Sequence, residues 1–319
     1  MDAGHEAAER ALDEFEREAA RLYEDAAKEA GEPIAEWLER FRDADEAMAA
    51  LIEEGEATPD EYAQWRYLTF AAGKDEAIAE TADRLTAANV AAMGILAGLL
   101  APVFRENSDY AAWMVEREAG QIGFRLCDAD HFNAIVERED PLFARAEIDE
   151  GKDAAWNRKM ITARVTAAVL SCKPIEDIER LSAGFASTNR GSASRIARTA
   201  VTGVQNAARV ERFEQAEEMG IALKQEWLAT VDNRTRHSHR ELDGERAEVG
   251  KAFSNGLRYP GDPTGPGHEI WNCRCTLVAA VEGHTTEDGR RFTRYDGTYE
   301  EWKNGKQIAS EDIVIGRSL

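Results

Sequence analysis

Trp227 is followed by Asp232-Asn-Arg-Thr-Arg-His-Ser-His239, Leu242-Asp-Gly244, Phe253, Tyr259-Pro-Gly-Asp-Pro263 and Asn272-Cys-Arg-Cys-Thr276. Turn formers crowd the same stretch: Asn255-Gly256, Pro260-Gly-Asp-Pro263 and Gly265-Pro-Gly267. Glycine and asparagine there supply the left-handed positions that tight turns need, and proline forbids a continuous helix. Gly244, Asn255-Gly256 and Gly261 are the positions expected at positive φ. Cys275–Val281, with its Thr-Leu-Val run, reads as a strand. The stretch is therefore a compact, tightly turned module with short β structure.

Three chemistries compete for its polar residues. His237, His239, Cys273 and Cys275 form a Cys2His2 set of the kind that suits tetrahedral zinc. Against this, structural zinc favours cysteines two to four residues apart, and a CxC pair inside a strand points to opposite faces. Cys273 as nucleophile with His239 as base would instead be an enzyme site, but no oxyanion hole or third member is visible. In the remaining reading the module is structural. Asp232 turns the chain, Arg234, Arg236 and Arg274 pair with nearby carboxylates, and the cysteines pack as small apolar groups.

Upstream the chain is helical. Leu12, Phe15, Ala19, Leu22, Tyr23 and Ala26 recur at helical spacing, and Gly31-Glu-Pro33 is expected to interrupt that helix before a second one carrying Trp37 and Phe41. Thr58-Pro-Asp-Glu61 has the form of a helix start. Helix is expected over 60–105, ending near Pro102, with less regular chain over 106–150 apart from a helix at His131–Arg138. Further helices are expected over 152–172, 174–182 and 192–219, the last capped by Ser192 or Ser194. The change of character near Gly220 sets the expected boundary. The expected division is an acidic helical segment (1–59), a helical scaffold (60–220) and a C-terminal module with a short β-rich tail (221–319).

Composition narrows the function classes. The formal charge is −22, and residues 1–60 hold 20 Asp/Glu against 6 Lys/Arg. Affinity for DNA cannot come from the protein as a whole, because phosphate binding rests on clustered Lys/Arg. Four cysteines do not make a disulfide framework, and Met1–Arg10 is acidic without the apolar run of a signal peptide. Leu85 to Phe104 is uncharged and long enough to span a bilayer. Its Ala and Gly content, Asn89 and Pro102 favour a buried helix instead, and no membrane is expected.

The residues quoted above, in that order, resemble the C-terminal domain of the Mu F-like phage head morphogenesis proteins. Arg195-Ile-Ala-Arg-Thr199 and Gln205-Asn-Ala-Ala-Arg209 are similar to the helix that precedes that domain. Trp156-Asn-Arg-Lys159 resembles the middle segment, and Glu61–Arg66 with Gly73-Lys74 and Ala88-Asn89 the N-terminal segment of minor head proteins from phages of Gram-positive hosts. Tyr299-Glu-Glu-Trp-Lys303 is similar to their common ending. Ala200 stands where the family often has Glu, His268 is displaced from a family histidine, and His237 is not a usual family position.

The resemblance implies a predominantly α, α+β protein: a helical N-terminal scaffold followed by a small C-terminal α+β Mu F-like module. It also implies a minor head protein that works without catalysis at the phage portal protein, in head assembly and DNA packaging or delivery. Such a protein would sit inside the capsid at the portal vertex, after assembly in the bacterial cytoplasm. The family motif falls on Trp227, Asp232, Arg234, Arg236, His239, Asp243, Gly244, Asn272, Cys273, Arg274 and Cys275.

The major capsid or scaffolding protein and the genomic DNA are further candidate partners. Arg190, Arg195, Arg198, Arg209 and Arg212, opposed only by Glu211, are the candidate contact strip for DNA or an acidic partner. No cofactor is required; zinc at His239, Cys273 and Cys275 is the candidate. The alternatives are a zinc-dependent nucleic-acid-binding module and a toxin-like effector or enzyme. Trp37, Trp65, Trp113 and Trp156 are expected in the core, and Cys127 and Cys172 as buried hydrophobes. His5, His131 and His284 have no visible role.

Overall fold

The computed structural model describes residues 2–128, 132, 148–282 and 294–316, with side chains described as far as residue 307 in the last segment. The helix expected at His131–Arg138, and His131 and His284, lie outside the described residues. Helices α1 (Ala3–Glu39), α2 (Arg42–Glu53), α3 (Pro59–Thr69), α4 (Lys74–Ala119), α5 (Glu150–Leu170), α6 (Ile175–Glu179) and α7 (Leu181–Glu218) come first. Then follow β1 (Leu223–Leu228), α8 (His237–Glu241), β2 (Arg246–Glu248), α9 (Gly267–Ile270), β3 (Thr276–Val281) and α10 (Tyr299–Gly316). The structure is 68% helical with a single three-stranded sheet among the described residues, which places it in the predominantly α part of the α+β class.

Two compact units divide the chain discontinuously. One takes Met1–Phe15, Leu96–Ala146 and Arg195–Leu319, the other Glu16–Ile95 and Glu147–Ser194. The three consecutive segments read from the sequence are a different division, because α1, α4 and α7 each give residues to both units.

The all-helical unit is built on an apolar core. Ile34, Trp37, Leu38, Phe70, Ile78, Leu85, Ile161, Val165, Ile178 and Phe185 form one buried cluster. The α1 stripe is where the spacing placed it, but α1 does not stop at Gly31–Pro33. Gly31 serves close approach: a Cβ there would stand 2.9 Å from the Ser182 hydroxyl. Pro33 cannot donate to the Glu29 carbonyl, and the Arg84 guanidinium takes that acceptor instead.

Trp156, expected in the core, is 46% exposed. Cys172 is half-buried, at a φ of 51° beyond the end of α5. At the helix start expected from the sequence, Thr58 and Glu61 form a full reciprocal cap, worth about 1 kcal/mol.

α4 also runs past its proline, to Ala119. The Gly98 carbonyl that Pro102 leaves free lies on an exposed part of the helix, where water can satisfy it. The expectation of irregular chain over 106–150 fails for 106–119 for this reason, whereas 120–128 belongs to no helix or strand. α4 is long and apolar enough to cross a membrane, yet Leu85, Ala92, Leu96, Leu100, Val103 and Phe104 are buried against protein. α7 begins at Leu181, so Ser192 and Ser194 lie inside the helix and cap nothing.

In the other unit β1 is the central strand, antiparallel to both neighbours, with Gln225 opposite Ala247 of β2 and Trp227 opposite Leu277 of β3. Leu223, Gln225 and Trp227 face inward by the two-residue alternation of a strand. Gln225 is buried but satisfied: its amide donates to the Lys251 and Arg258 carbonyls and its oxygen accepts from Gly250 N. From the C-terminal helix the Trp302 indole donates to Glu116 Oε2 at 2.5 Å, and Lys306 lies 3.0 Å from the same carboxylate oxygen.

Candidate metal centre

The module is fastened to one face of α7. Thr199, Thr202, Gln205, Asn206, Arg209 and Arg212 recur at three- and four-residue steps, so they share that face. Thr199 Oγ1 accepts from Asn272 N, and Thr202 Oγ1 donates to the Cys273 carbonyl at 2.7 Å. The Asn206 amide nitrogen donates to the Pro260 and Cys275 carbonyls, and its oxygen accepts from Leu277 N. Gln205 donates to Thr276 Oγ1. Arg209 donates to the Leu277 carbonyl, to Asn107 and to Asp2.

The expected glycines at 244, 256 and 261 all have positive φ, of 78°, 85° and 81°. At Gly261 a Cβ would stand 2.7 Å from the backbone nitrogen of Gly203, so two glycines let the Tyr259–Pro263 turn lie directly on the helix.

That docking sets the cysteines. Asn272 adopts φ 55°, a left-handed position that asparagine tolerates better than other residues with side chains. The turn delivers Cys273-Arg-Cys275 before β3 begins at Thr276. Outside the strand the alternation of faces no longer applies, and both sulfurs stand 3.5 Å from Nδ1 of His239. His239, on α8, is 1% exposed and each cysteine 2%. The three ligand atoms lie within 4.8 Å of one another, so the group can hold a metal ion.

His237, the fourth member of the expected set, is not part of it. Two residues from His239 on the same helix, it turns outward, its side chain 86% exposed and 3.6 Å from Glu241. His268 is likewise exposed.

Glu269 completes the arrangement and was missed from the sequence. Its Oε2 is 2.9 Å from His239 Nε2 and accepts from Ser238 Oγ. The hydrogen bond between the two thiols lowers the pKa of Cys275 and raises that of Cys273, so Cys275 ionises first. Trp227 packs edge-on against the imidazole and Phe253, with ring centroids 5.2 Å apart in both pairs.

The remaining motif residues hold the turns. Arg274 makes a two-pronged pair with Asp232 at 2.7 and 2.8 Å, which holds that carboxyl well below the usual range. Asp232 also accepts from Arg234 N. Asp243 accepts from Ala229 N, and Gly244 N donates to the Trp227 carbonyl. Arg236 departs from the expected carboxylate pairing and donates to the Trp271 carbonyl.

The arginine strip on α7 divides. Arg190, Arg195 and Arg198 are exposed, and Arg195 stacks over Trp271 at 5.2 Å. Arg209 and Arg212 are buried; Arg212 donates to Ser108 and to the Arg125 carbonyl. These two bind the protein to itself and present no guanidinium to a partner.

Residues 159–278 match the family described as Phage Mu protein F like protein, so this stretch, from the middle of α5 to the middle of β3, is a Mu F-like domain. A minor head protein of Bacillus phage SPP1 is 26% identical over 225 residues, 66% of this chain and 71% of that protein. The two matches bear out the resemblance to the Mu F-like minor head family. An NAD(+)–arginine ADP-ribosyltransferase of Enterococcus faecalis is 30% identical over 149 residues, 44% of this chain. This chain spans only 30% of that protein's length. No solved structure matches.

Proposed function

We propose that this chain is a virion component that docks on the portal ring during phage head assembly and assists packaging or delivery of the genome. It does so by binding, without catalysis. The observation that carries the reading is the similarity to the SPP1 minor head protein, which extends well beyond the Mu F-like domain itself. The closed module supports a binding role: His239, Cys273 and Cys275 are too deeply buried for a substrate to reach. Zinc at that cluster would stabilise the module and take no part in a reaction.

Arg190, Arg195 and Arg198 are the exposed cations of α7 in an acidic protein, and they offer contacts to an acidic partner or to DNA. The test is co-sedimentation of the chain with purified portal rings at low and moderate salt, followed by electron microscopy. Extra density on the ring is the expected result. Two folded proteins that sediment apart at both salt concentrations would overturn the reading.

A further inference from the structure

We propose that Nδ1 of His239 and the sulfurs of Cys273 and Cys275 hold a zinc ion that clasps α8 to the turn before β3, with Glu269 as the carboxylate that orients the histidine. The proposal does not rest on the portal reading. The donor set comes first: one imidazole and two cysteines, all buried and within 4.8 Å of one another. Zinc takes nitrogen and sulfur ligands, whereas magnesium and calcium demand oxygen.

The tautomer comes second. Glu269 Oε2 lies 2.9 Å from His239 Nε2, so the ring proton belongs there and the lone pair of Nδ1 faces the two sulfurs, each 3.5 Å away. A carboxylate on the outer nitrogen of a ligating histidine is a recurrent feature of metal sites, because it fixes the ring and raises its basicity. It also means that Glu269 is not itself a ligand.

The surroundings of the sulfurs come third. The backbone N–H of Cys275 is hydrogen-bonded to Cys273, and that of Thr230 to Cys275. Arg236 and Arg274 place positive charge beside the pair. Donors and cations around the sulfurs would stabilise the thiolates that a bound metal requires. Two thiolates and a neutral imidazole carry a charge of about −2, which a divalent ion neutralises as the thiol protons leave to solvent. No further His, Cys, Asp or Glu joins the cluster among the described residues, so the fourth position falls to water or another small ligand.

The test uses the full chain, purified without a histidine tag and dialysed into metal-free buffer. Elemental analysis is expected to find about one zinc per chain. Cobalt exchanged into the wild-type protein should show the thiolate charge-transfer band and the intense visible bands of a tetrahedral site. Cys273→Ser should abolish both signals, and Glu269→Gln should keep the ion but weaken its affinity about 10- to 100-fold. Because a cysteine variant can fail to fold, the wild-type cobalt spectrum decides the matter. A folded wild-type protein that takes up neither metal, or cobalt without a thiolate band, overturns the proposal and leaves a hydrogen-bonded Cys–His–Cys group.

Discussion

The all-helical unit and the unit that carries the three-stranded sheet are held by opposite means. The first is organised by an apolar cluster around Trp37, Phe70, Ile161, Ile178 and Phe185, fed by stripes that recur every three or four residues. Hydrophobic burial is non-directional, so a stripe in the sequence is enough to announce it. In the second, polar side chains of α7 donate to and accept from the backbone of turns far along the chain. Those bonds are directional, and their partners lie roughly 70 residues away in several cases, for example Thr202 with Cys273. A polar helix face of this kind looks like a solvated one until the fold is known.

The largest expected effect tests the apolar side of the contrast. Trp37 is fully buried, packs edge-on against Phe70 at 5.9 Å and donates to the Ala72 carbonyl. Trp37→Ala should cost about 3–5 kcal/mol in urea unfolding, through the cavity and the lost contacts. A loss under about 1 kcal/mol would mean that this cluster does not organise its unit.

The polar side predicts a different response at Asn206. Asn206→Ala should cost about 1–3 kcal/mol, because it strands the Pro260 and Cys275 carbonyls and the Leu277 amide. Asn206→Leu keeps the volume and should not restore the loss. If leucine does restore it, the face works by packing and the contrast between the units fails.

The smallest effect is a pH dependence at Asp109. Burial pushes its carboxyl up to about 6, against the Cys127 N–H bond and Arg212 nearby, which favour the charged form. Its folded value therefore lies above its unfolded one, so the folded protein holds the proton more tightly. The resulting stability is complete below about pH 4 and is lost as pH rises through about 6. Asp109→Asn removes this loss. Its melting temperature relative to wild type should rise by about 2–4 °C between pH 4 and 7. A constant difference across that range would show that Asp109 does not ionise there.

The helix breakers mark where reading along the chain stops. Pro33 and Pro102 looked like ends because proline removes a local hydrogen bond. Arg84, 51 positions beyond Pro33, takes the acceptor that Pro33 leaves, and at Pro102 the Gly98 carbonyl lies on an exposed part of the helix that water can reach. β1 and β2 were not read from the sequence at all. Leu223–Leu228 carries charged residues on its outward face, and Arg246–Glu248 is three residues long, so neither has a pattern that stands apart from a loop.

The sequence by itself determined what depends on near neighbours. It placed the helix start at Thr58–Glu61, the positive-φ glycines 244, 256 and 261, the α1 stripe and the strand after Cys275. Its motif order also identified the Mu F-like module. The candidate trio His239, Cys273 and Cys275 was named from the sequence, but only the tertiary structure brought it together, stood Glu269 behind the histidine, and turned Arg209 and Arg212 inward. Caps and turns are fixed by the dihedral preferences of a few consecutive residues. Ligand clusters and buried charges are fixed by where distant segments dock, and α7 sets that docking through bonds visible only once the chain has folded.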